Sequence, residues 1–334
     1  MPAQAFHSKS SITAFGTYVP ERRLTNSDLE RMVETSNEWI LQRTGISERR
    51  IAEPDQFCSD LCIGAVRDLL ANYPVTVDDV DYILVATSTP DTSFPSVASR
   101  VQAKFGIRNA GTADVQAACA GFVTGLQMAN GLILTGAFRK ILVIGADTLS
   151  KITDYTDRTT CILFGDGAGA ALVEAAEEPS FIGAYTDTDG QYGHHLYRSA
   201  LSAKIGEADI AATGTIVQNG REVYKWAVSR VSEGVRHILS RYEIAVNDID
   251  WFIPHSANLR IIESINERTG IPMGRTLYSM VEYGNTSAAT IPLALHKGIK
   301  EGRIKRGDLL LLYGFGGGLT QSALLVRWML DSPA

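Results

Sequence analysis

A thiol, an imidazole and a carboxamide (Cys119, His255 and Asn285) each stand in a segment of small residues: Asp114-Val115-Gln116-Ala117-Ala118-Cys119-Ala120-Gly121-Phe122, Pro254-His255-Ser256-Ala257-Asn258 and Tyr283-Gly284-Asn285-Thr286-Ser287-Ala288-Ala289. Cys119 lies where a strand pattern gives way to a helical one. A sulfur there feels the positive end of the helix dipole and unpaired amides, which favour thiolate and make a nucleophile. His255 follows an apolar strand and Asn285 a glycine-led turn, positions where a rigid scaffold leaves a side chain free to react. In a fourth segment, Tyr313-Gly314-Phe315-Gly316-Gly317-Gly318-Leu319-Thr320, glycines let backbone amides approach a ligand and form an oxyanion hole. Taken singly, each has a plainer reading: a packed apolar cysteine, a hydrogen-bonded core histidine, a helix N-cap, a tight turn.

Positioning these groups takes a large scaffold, and 334 residues with 45% hydrophobic and 20% charged side chains can bury one without staples. Apolar runs at Tyr82 to Thr87, Lys140 to Gly145, Trp251 to Pro254 and Asp308 to Tyr313 read as buried strands. They alternate with helical patterns over Ser27 to Arg43, Ser59 to Asn72, Ser96 to Phe105, Ala120 to Thr135, Arg221 to Tyr242 and Ala257 to Arg268. That alternation predicts an α/β protein. Val77-Asp78-Asp79-Val80-Asp81 precedes one strand and Val246-Asn247-Asp248-Ile249-Asp250 another, half a chain apart, so the fold reads as a duplication. The expected halves are 1–176, carrying the cysteine, and 177–334, carrying His255, Asn285 and the glycines. Gly183 to Gly214 reads as an irregular insertion.

Several function classes are excluded on charge and pattern. Net charge is −6, so no global positive field exists to hold nucleic acid or an anionic membrane surface. The sequence has neither a secretory leader pattern nor an 18-residue apolar run, and a cytoplasmic location is expected. Cys58 and Cys62 have C-x3-C spacing with no histidine nearby, so no metal site is expected. Neither Gly314 to Gly318 nor Gly165-Asp166-Gly167-Ala168-Gly169 completes a dinucleotide fingerprint, which removes the main support for hydride transfer.

The segments DVQAACAGF, PHSANLR, GNTSAA and GFGGGLT, in this order and spacing, closely resemble the Cys-His-Asn condensing enzymes of the 3-oxoacyl-acyl carrier protein synthase III family. So do TSNEWILQRTGISER from Thr35, SFPS at Ser93 to Ser96 and TDRTTCILFGDGAGA from Thr156, and the resemblance runs from about Ile12 to Trp328. It implies a thiolase-like α/β fold of two similar βαβαβαββ halves in a five-layered αβαβα arrangement, and a homodimer. It also implies an acyltransferase that initiates fatty acid synthesis. Cys119 would take an acyl group from acyl-CoA while the N–H groups of Cys119 and Gly317 hold the oxyanion. Malonyl-acyl carrier protein would then lose carbon dioxide to an enolate bonded by His255 and Asn285. The CoA thioester is a substrate, and no cofactor is implied.

By the same resemblance, Trp39 and Arg158 would sandwich the adenine of CoA, with Arg43, Thr35 and Asn258 near its phosphate and pantetheine. Tyr224 stands where the family has a phenylalanine by the pantetheine tunnel, and Arg221 replaces an asparagine. Phe94 would close the partner subunit's primer pocket, and Lys225 and Arg260 would meet the acidic carrier protein. Within the family the sequence resembles the synthases of Gram-positive bacteria that make branched fatty acids, which implies a branched acyl-CoA primer. The alternatives are a related thiolase-fold synthase using a different extender, a non-enzymatic scaffold, and a papain-like cysteine hydrolase, in which Cys, His and Asn follow the same order. The hydrolase's C-G-S/A-C-W/Y context is missing here.

Overall fold

The protein is described here by a computed structural model covering residues 6–331. Its first half runs β1 (Ser10–Tyr18), two short helices α1 (Asn26–Glu30) and α2 (Asn37–Thr44), then α3 (Cys58–Asn72), β2 (Tyr82–Ala86) and α4 (Val97–Phe105). It continues through β3 (Gly111–Val115), α5 (Gly121–Leu134), β4 (Lys140–Thr148) and β5 (Asp166–Ala175). Five strands form a sheet in the order β1-β5-β4-β2-β3, with β2 parallel to both neighbours and β5 antiparallel to β1 and β4. Leaving α1 and α2 aside, this half spells βαβαβαββ.

The second half repeats the plan with β6 (Phe181–Thr188), α6 (Gly220–Trp226) leading through a π turn into α7 (Ser232–Arg241), β7 (Trp251–Pro254) and α8 (Leu259–Thr269). After the single turn α9 (Met280–Tyr283) come α10 (Thr290–Lys300), β8 (Leu309–Gly316) and β9 (Thr320–Arg327). The order β7-β8-β9-β6 matches that of the first sheet, β7 corresponding to β2 and β8 to β4. The counterpart of β3 is reduced to one parallel bridge from Thr276 to Phe252.

Strand alternation sorts side chains into layers. On β2, Leu84 faces the middle of the molecule while Ile83 and Val85 face α3 and α4; on β8, Leu310 and Leu312 face the middle while Leu309, Leu311 and Tyr313 pack towards α7 and α8. The middle layer is α5 with α10, both apolar around most of their circumference, as helices buried between two sheets must be. The result is the five-layered αβαβα arrangement. Central strand β4 is buried at all nine positions, as a strand covered on both faces requires.

Two element readings change. The helix expected over Ser27 to Arg43 is broken at Arg31–Ser36, because Ser36 Oγ accepts the Trp39 amide at 3.1 Å and starts a new helix. The irregular insertion begins after Thr188, since Gly183 to Thr188 is regular strand paired with β9. Among the described residues no helix is long and apolar enough to cross a membrane.

Candidate active site

Cys119 is held by a strained turn. β3 ends at Val115, Ala118 takes φ +44°, a 3-10 turn over Ala118–Ala120 carries the cysteine, and α5 starts at Gly121. Positive φ in a residue with a Cβ is uncommon and persists where surrounding structure imposes it. β8 passes directly beneath. A Cβ added at Gly316 would lie 2.8 Å from Cys119 Cβ and 3.0 Å from its Sγ, so only glycine lets that strand approach the thiol. The opposite half repeats the device: Ser287 takes φ +52° in the 3-10 turn Ser287–Ala289 that opens α10.

The helix start alone predicts a depressed thiol pKa, and burial reverses it. Loss of water pushes the Cys119 thiol up to about 12; a hydrogen bond from Ser287 opposes the rise and the Asp147 charge adds to it.

His255 leaves the end of β7 with its backbone amide bonded to the Tyr313 carbonyl at 2.8 Å, and its ring meets Phe315 edge-on with centroids 5.1 Å apart. It is 2% exposed, and burial lowers its pKa to about 3, so the imidazole is neutral at physiological pH. Its Nδ1 lies 2.7 Å from Thr290 Oγ1. The other hydroxyl contact of Thr290 is the Ser287 carbonyl at 3.0 Å, which already accepts the Thr290 amide. While that hydroxyl donates to the Ser287 carbonyl it accepts from the ring Nδ1–H; turned to the imidazole, its proton makes Nδ1 an acceptor and leaves the ring proton on Nε2.

Asn285 is clamped through its backbone, its amide bonded to the Leu163 carbonyl at 2.8 Å and its carbonyl to the Gly165 amide at 3.0 Å. Gly284 before it has φ +69°, and a Cβ there would meet Arg49 Cγ and Leu163 O at 2.8 Å. Arg49 is fully buried and braces this loop, its guanidinium donating to the Ile162 carbonyl. The side-chain oxygen of Asn285 accepts the Ser287 amide at 2.9 Å, which fixes the amide flip and leaves its NH2 free to donate.

Cys119, His255, Asn285 and Gly317 line one pocket together with Ser88, Leu149, Ile152, Phe164, Leu196, Tyr197 and Ile216. Leu163, Tyr197, Gln218, Asn258 and Ile261 also line a larger surface groove, so pocket and groove are continuous. The groove holds Trp39, Arg43, Arg221, Tyr224, Lys225 and Arg260. Arg43 and Arg158 lie over the Trp39 ring at 5.6 and 5.5 Å, and Arg158 donates to the Glu34 carbonyl. A planar base between Trp39 and Arg158 requires that guanidinium to lift. Thr35 lies outside the groove lining, its buried Oγ1 without a hydrogen-bond partner. Asn258 caps α8 through its side-chain oxygen, and the Tyr224 hydroxyl is 2.8 Å from Ser264 Oγ. Lys225 pairs with Glu222 at 2.7 Å. Phe94 is remote from the pocket lining of its own chain and 85% exposed.

Sequence reasoning missed Asp147, Ser287 and Thr290. A signal existed: Ala118-Cys119-Ala120-Gly121 and Ser287-Ala288-Ala289-Thr290 occupy the same place in the two halves, so the duplication already pointed to Ser287 and Thr290. Asp147, at the end of a strand, carried none.

The family described as 3-oxoacyl-[acyl-carrier-protein] synthase III matches residues 113–190, and its C-terminal counterpart residues 239–328. A beta-ketoacyl-[acyl-carrier-protein] synthase III 2 of Halalkalibacterium halodurans is 60% identical over 322 residues, covering 96% of this chain and 97% of the relative. The protein of the same name from Bacillus subtilis is 55% identical, covering 96% of this chain and 99% of the relative. Among solved structures, the beta-ketoacyl-[acyl carrier protein] synthase III of Thermus thermophilus superposes with a TM-score of 0.92 at 43% identity, covering 95% of this chain and 98% of the other.

Proposed function

The chain belongs to the 3-oxoacyl-[acyl-carrier-protein] synthase III family, and we propose from that premise which of its groups perform each half-reaction. It is an acyltransferase that initiates fatty acid synthesis by condensing an acyl-CoA primer with malonyl-acyl carrier protein. Cys119 attacks the thioester carbonyl; the amides of Cys119 and Gly317 bond the oxyanion, and CoA leaves. Malonyl-acyl carrier protein then occupies the same pocket. Its carboxylate leaves as carbon dioxide, and the electron pair passes to the thioester as an enolate. His255 Nε2–H and the Asn285 NH2 donate to that enolate oxygen, the enolate carbon attacks the acyl-cysteine, and the thiolate of Cys119 is expelled with the 3-oxoacyl product. With the Thr290 hydroxyl turned to Nδ1, the neutral imidazole carries its proton on Nε2, and it and an amide whose oxygen is already engaged are the two donors this step needs.

Around this centre, Trp39, Arg43 and Arg158 bind the adenine and phosphates of CoA, Thr35 lies near them, and Asn258 and Tyr224 guide the pantetheine. Lys225 and Arg260, exposed at the groove in a chain of net charge −6, receive the acidic carrier protein. The enzyme acts as a homodimer in which Phe94 closes the partner's primer pocket, a role supported by a phenyl ring left 85% exposed. It works in the cytoplasm, without a metal, nucleic acid or bilayer.

The observation that carries the reading is the convergence of Cys119, His255, Asn285 and Gly317 on one pocket joined to a groove lined by Trp39, over whose ring Arg158 lies. Intact mass spectrometry after mixing with a panel of acyl-CoAs tests it. One acyl group should appear on the wild type and none on Cys119→Ala, while Cys58, Cys62 and Cys161 tolerate alanine; acyl mass on Cys119→Ala would overturn the assignment.

A further inference from the structure

The Gly165-Asp166-Gly167-Ala168-Gly169 segment, which does not complete a dinucleotide fingerprint, places a carboxylate inside the fold. Asp166 is fully buried at the start of β5, in register with Thr148 at the end of β4. From Thr148 the chain enters the 3-10 turn Leu149–Ile152. Asp166 Oδ1 accepts the Ser150 amide of that turn at 2.8 Å, and Oδ2 accepts the Ser150 hydroxyl at 2.5 Å and the Ala52 amide at 2.7 Å. The turn is tied to the segment after Ala52 a second time, Lys151 Nζ donating to the Glu53 and Pro54 carbonyls at 3.0 and 3.1 Å. Leu149 and Ile152, the two ends of the turn, are buried against Phe164 and line the Cys119 pocket. Asp166 itself is outside the pocket lining, and neither half-reaction uses it.

We propose that Asp166 is a positioning residue for primer selection: its carboxylate clamps the Leu149–Ile152 turn, so that Leu149 and Ile152 form a fixed wall for the acyl chain. The proposal rests on the reading of the Cys119 pocket as the place where that chain is carried. An ionised carboxylate offers acceptors to all three donors that converge on it. A carboxamide in its place must turn its NH2 towards either the Ser150 amide or the Ala52 amide, and a buried backbone donor then loses its bond. A protonated carboxyl likewise presents an O–H at one of these places. Burial pushes the Asp166 carboxyl up to about 6 against the pull of its hydrogen bonds, so the clamp weakens as pH falls through that value. The charged and titratable groups that face it are Lys151, already engaged by two carbonyls, and Tyr155, with Arg22 and Arg49 beyond Tyr155.

Acyl-CoAs that differ by one methylene isolate the wall, because the groups that handle CoA and the thiol act equally on both and cancel in a ratio of rates. A methylene in an apolar pocket is worth roughly 10- to 200-fold. Acyl-Cys119 formation, followed by intact mass with the straight acyl-CoAs from acetyl to octanoyl, gives the discrimination as the largest ratio of kcat/KM between neighbouring primers. At pH 8, Asp166→Asn should lower that ratio about tenfold. In the wild type the ratio should fall several-fold as pH drops from 8 to 5.5, whereas in Asp166→Asn it should be the same at both. Ser150→Ala, which keeps both backbone amides on the carboxylate, should lower it in the same direction and by less; this variant and the wild-type pH profile decide the matter if Asp166→Asn fails to fold. Carbon dioxide release from labelled malonyl-acyl carrier protein, which draws on His255 and Asn285 and not on the wall, should stay at the wild-type rate in both variants at pH 8. General loosening of the fold would lower loading of every primer and decarboxylation together, and that result would overturn the proposal. So would a wild-type ratio that does not change with pH alongside an unchanged ratio in the variants. Absence of acyl-Cys119 in the wild type with every primer would instead defeat the reading of the pocket on which the proposal rests.

Discussion

His255 illustrates how burial sets chemistry at the scale of one residue. The unfolded chain takes up a proton at this imidazole as pH falls through about 6.5, whereas the native chain resists until about 3. Between those values the unfolded state binds more protons, so His255 withdraws stability as acid is added. His255→Ala should lose less of its urea midpoint between pH 7 and 5 than the wild type does; equal losses would show that the imidazole is solvated. The residue scale is also where the sequence was most and least legible. Cys119, His255 and Asn285 could be found because small residues surround each. The raised thiol could not, because the burial that decides it comes from β8 and α10, distant in sequence and close only in the folded chain.

Among the elements, β8 and α5 meet so closely that two glycines have opposite meanings. Gly316→Ala places a methyl 2.8 Å from Cys119 Cβ and should cost about 1–3 kcal/mol of stability and most acyl loading, read by urea melts and intact mass. Gly131 lies inside α5 on its exposed face with nothing near its missing Cβ, so Gly131→Ala should stabilise by up to about 1 kcal/mol with loading unchanged. Loss of loading in both variants would mean that α5 moves as a unit. Strand and helix periodicity in the sequence located β2, β7 and α3 to within a residue or so. The break between α1 and α2 was hidden because Ser36 reads as an ordinary polar helix position until its hydroxyl is seen capping Trp39.

For the whole molecule, duplication explains the site's placement. α5 and α10 both lie in the middle layer, so the Cys119 turn of one half and the Ser287 turn of the other face the same pocket. The two inserted segments, Arg23–Arg50 and Asp189–Asn219, both follow the first strand of their half and supply Trp39 and Tyr197 to the groove. Repeated acidic turns made the duplication visible in sequence; the shrinking of one strand to the Thr276 bridge left no pattern to read. Two predictions belong at this scale. Phe94→Ala should shift primer preference towards longer acyl-CoAs, since a methylene in an apolar pocket is worth about 1–3 kcal/mol; an unchanged ranking of kcat/KM would remove Phe94 from the pocket. Charge reversal of Lys225 and Arg260 together should raise KM for malonyl-acyl carrier protein and spare acyl-CoA loading, each contact contributing at most about 1 kcal/mol; equal damage to both substrates would place docking elsewhere.

The central claim is that one pocket divides its labour, with Cys119 carrying the acyl group and His255 and Asn285 stabilising the enolate. Acyl-enzyme formation by mass and carbon dioxide release from labelled malonyl-acyl carrier protein, measured on the same His255→Ala and Asn285→Ala preparations, test that division most directly. Loading should persist in both variants, while decarboxylation should fall on the order of 100- to 1,000-fold, the usual cost of one lost oxyanion donor. Loss of loading with decarboxylation intact, the pattern of a histidine that serves as the thiol's base, would contradict it.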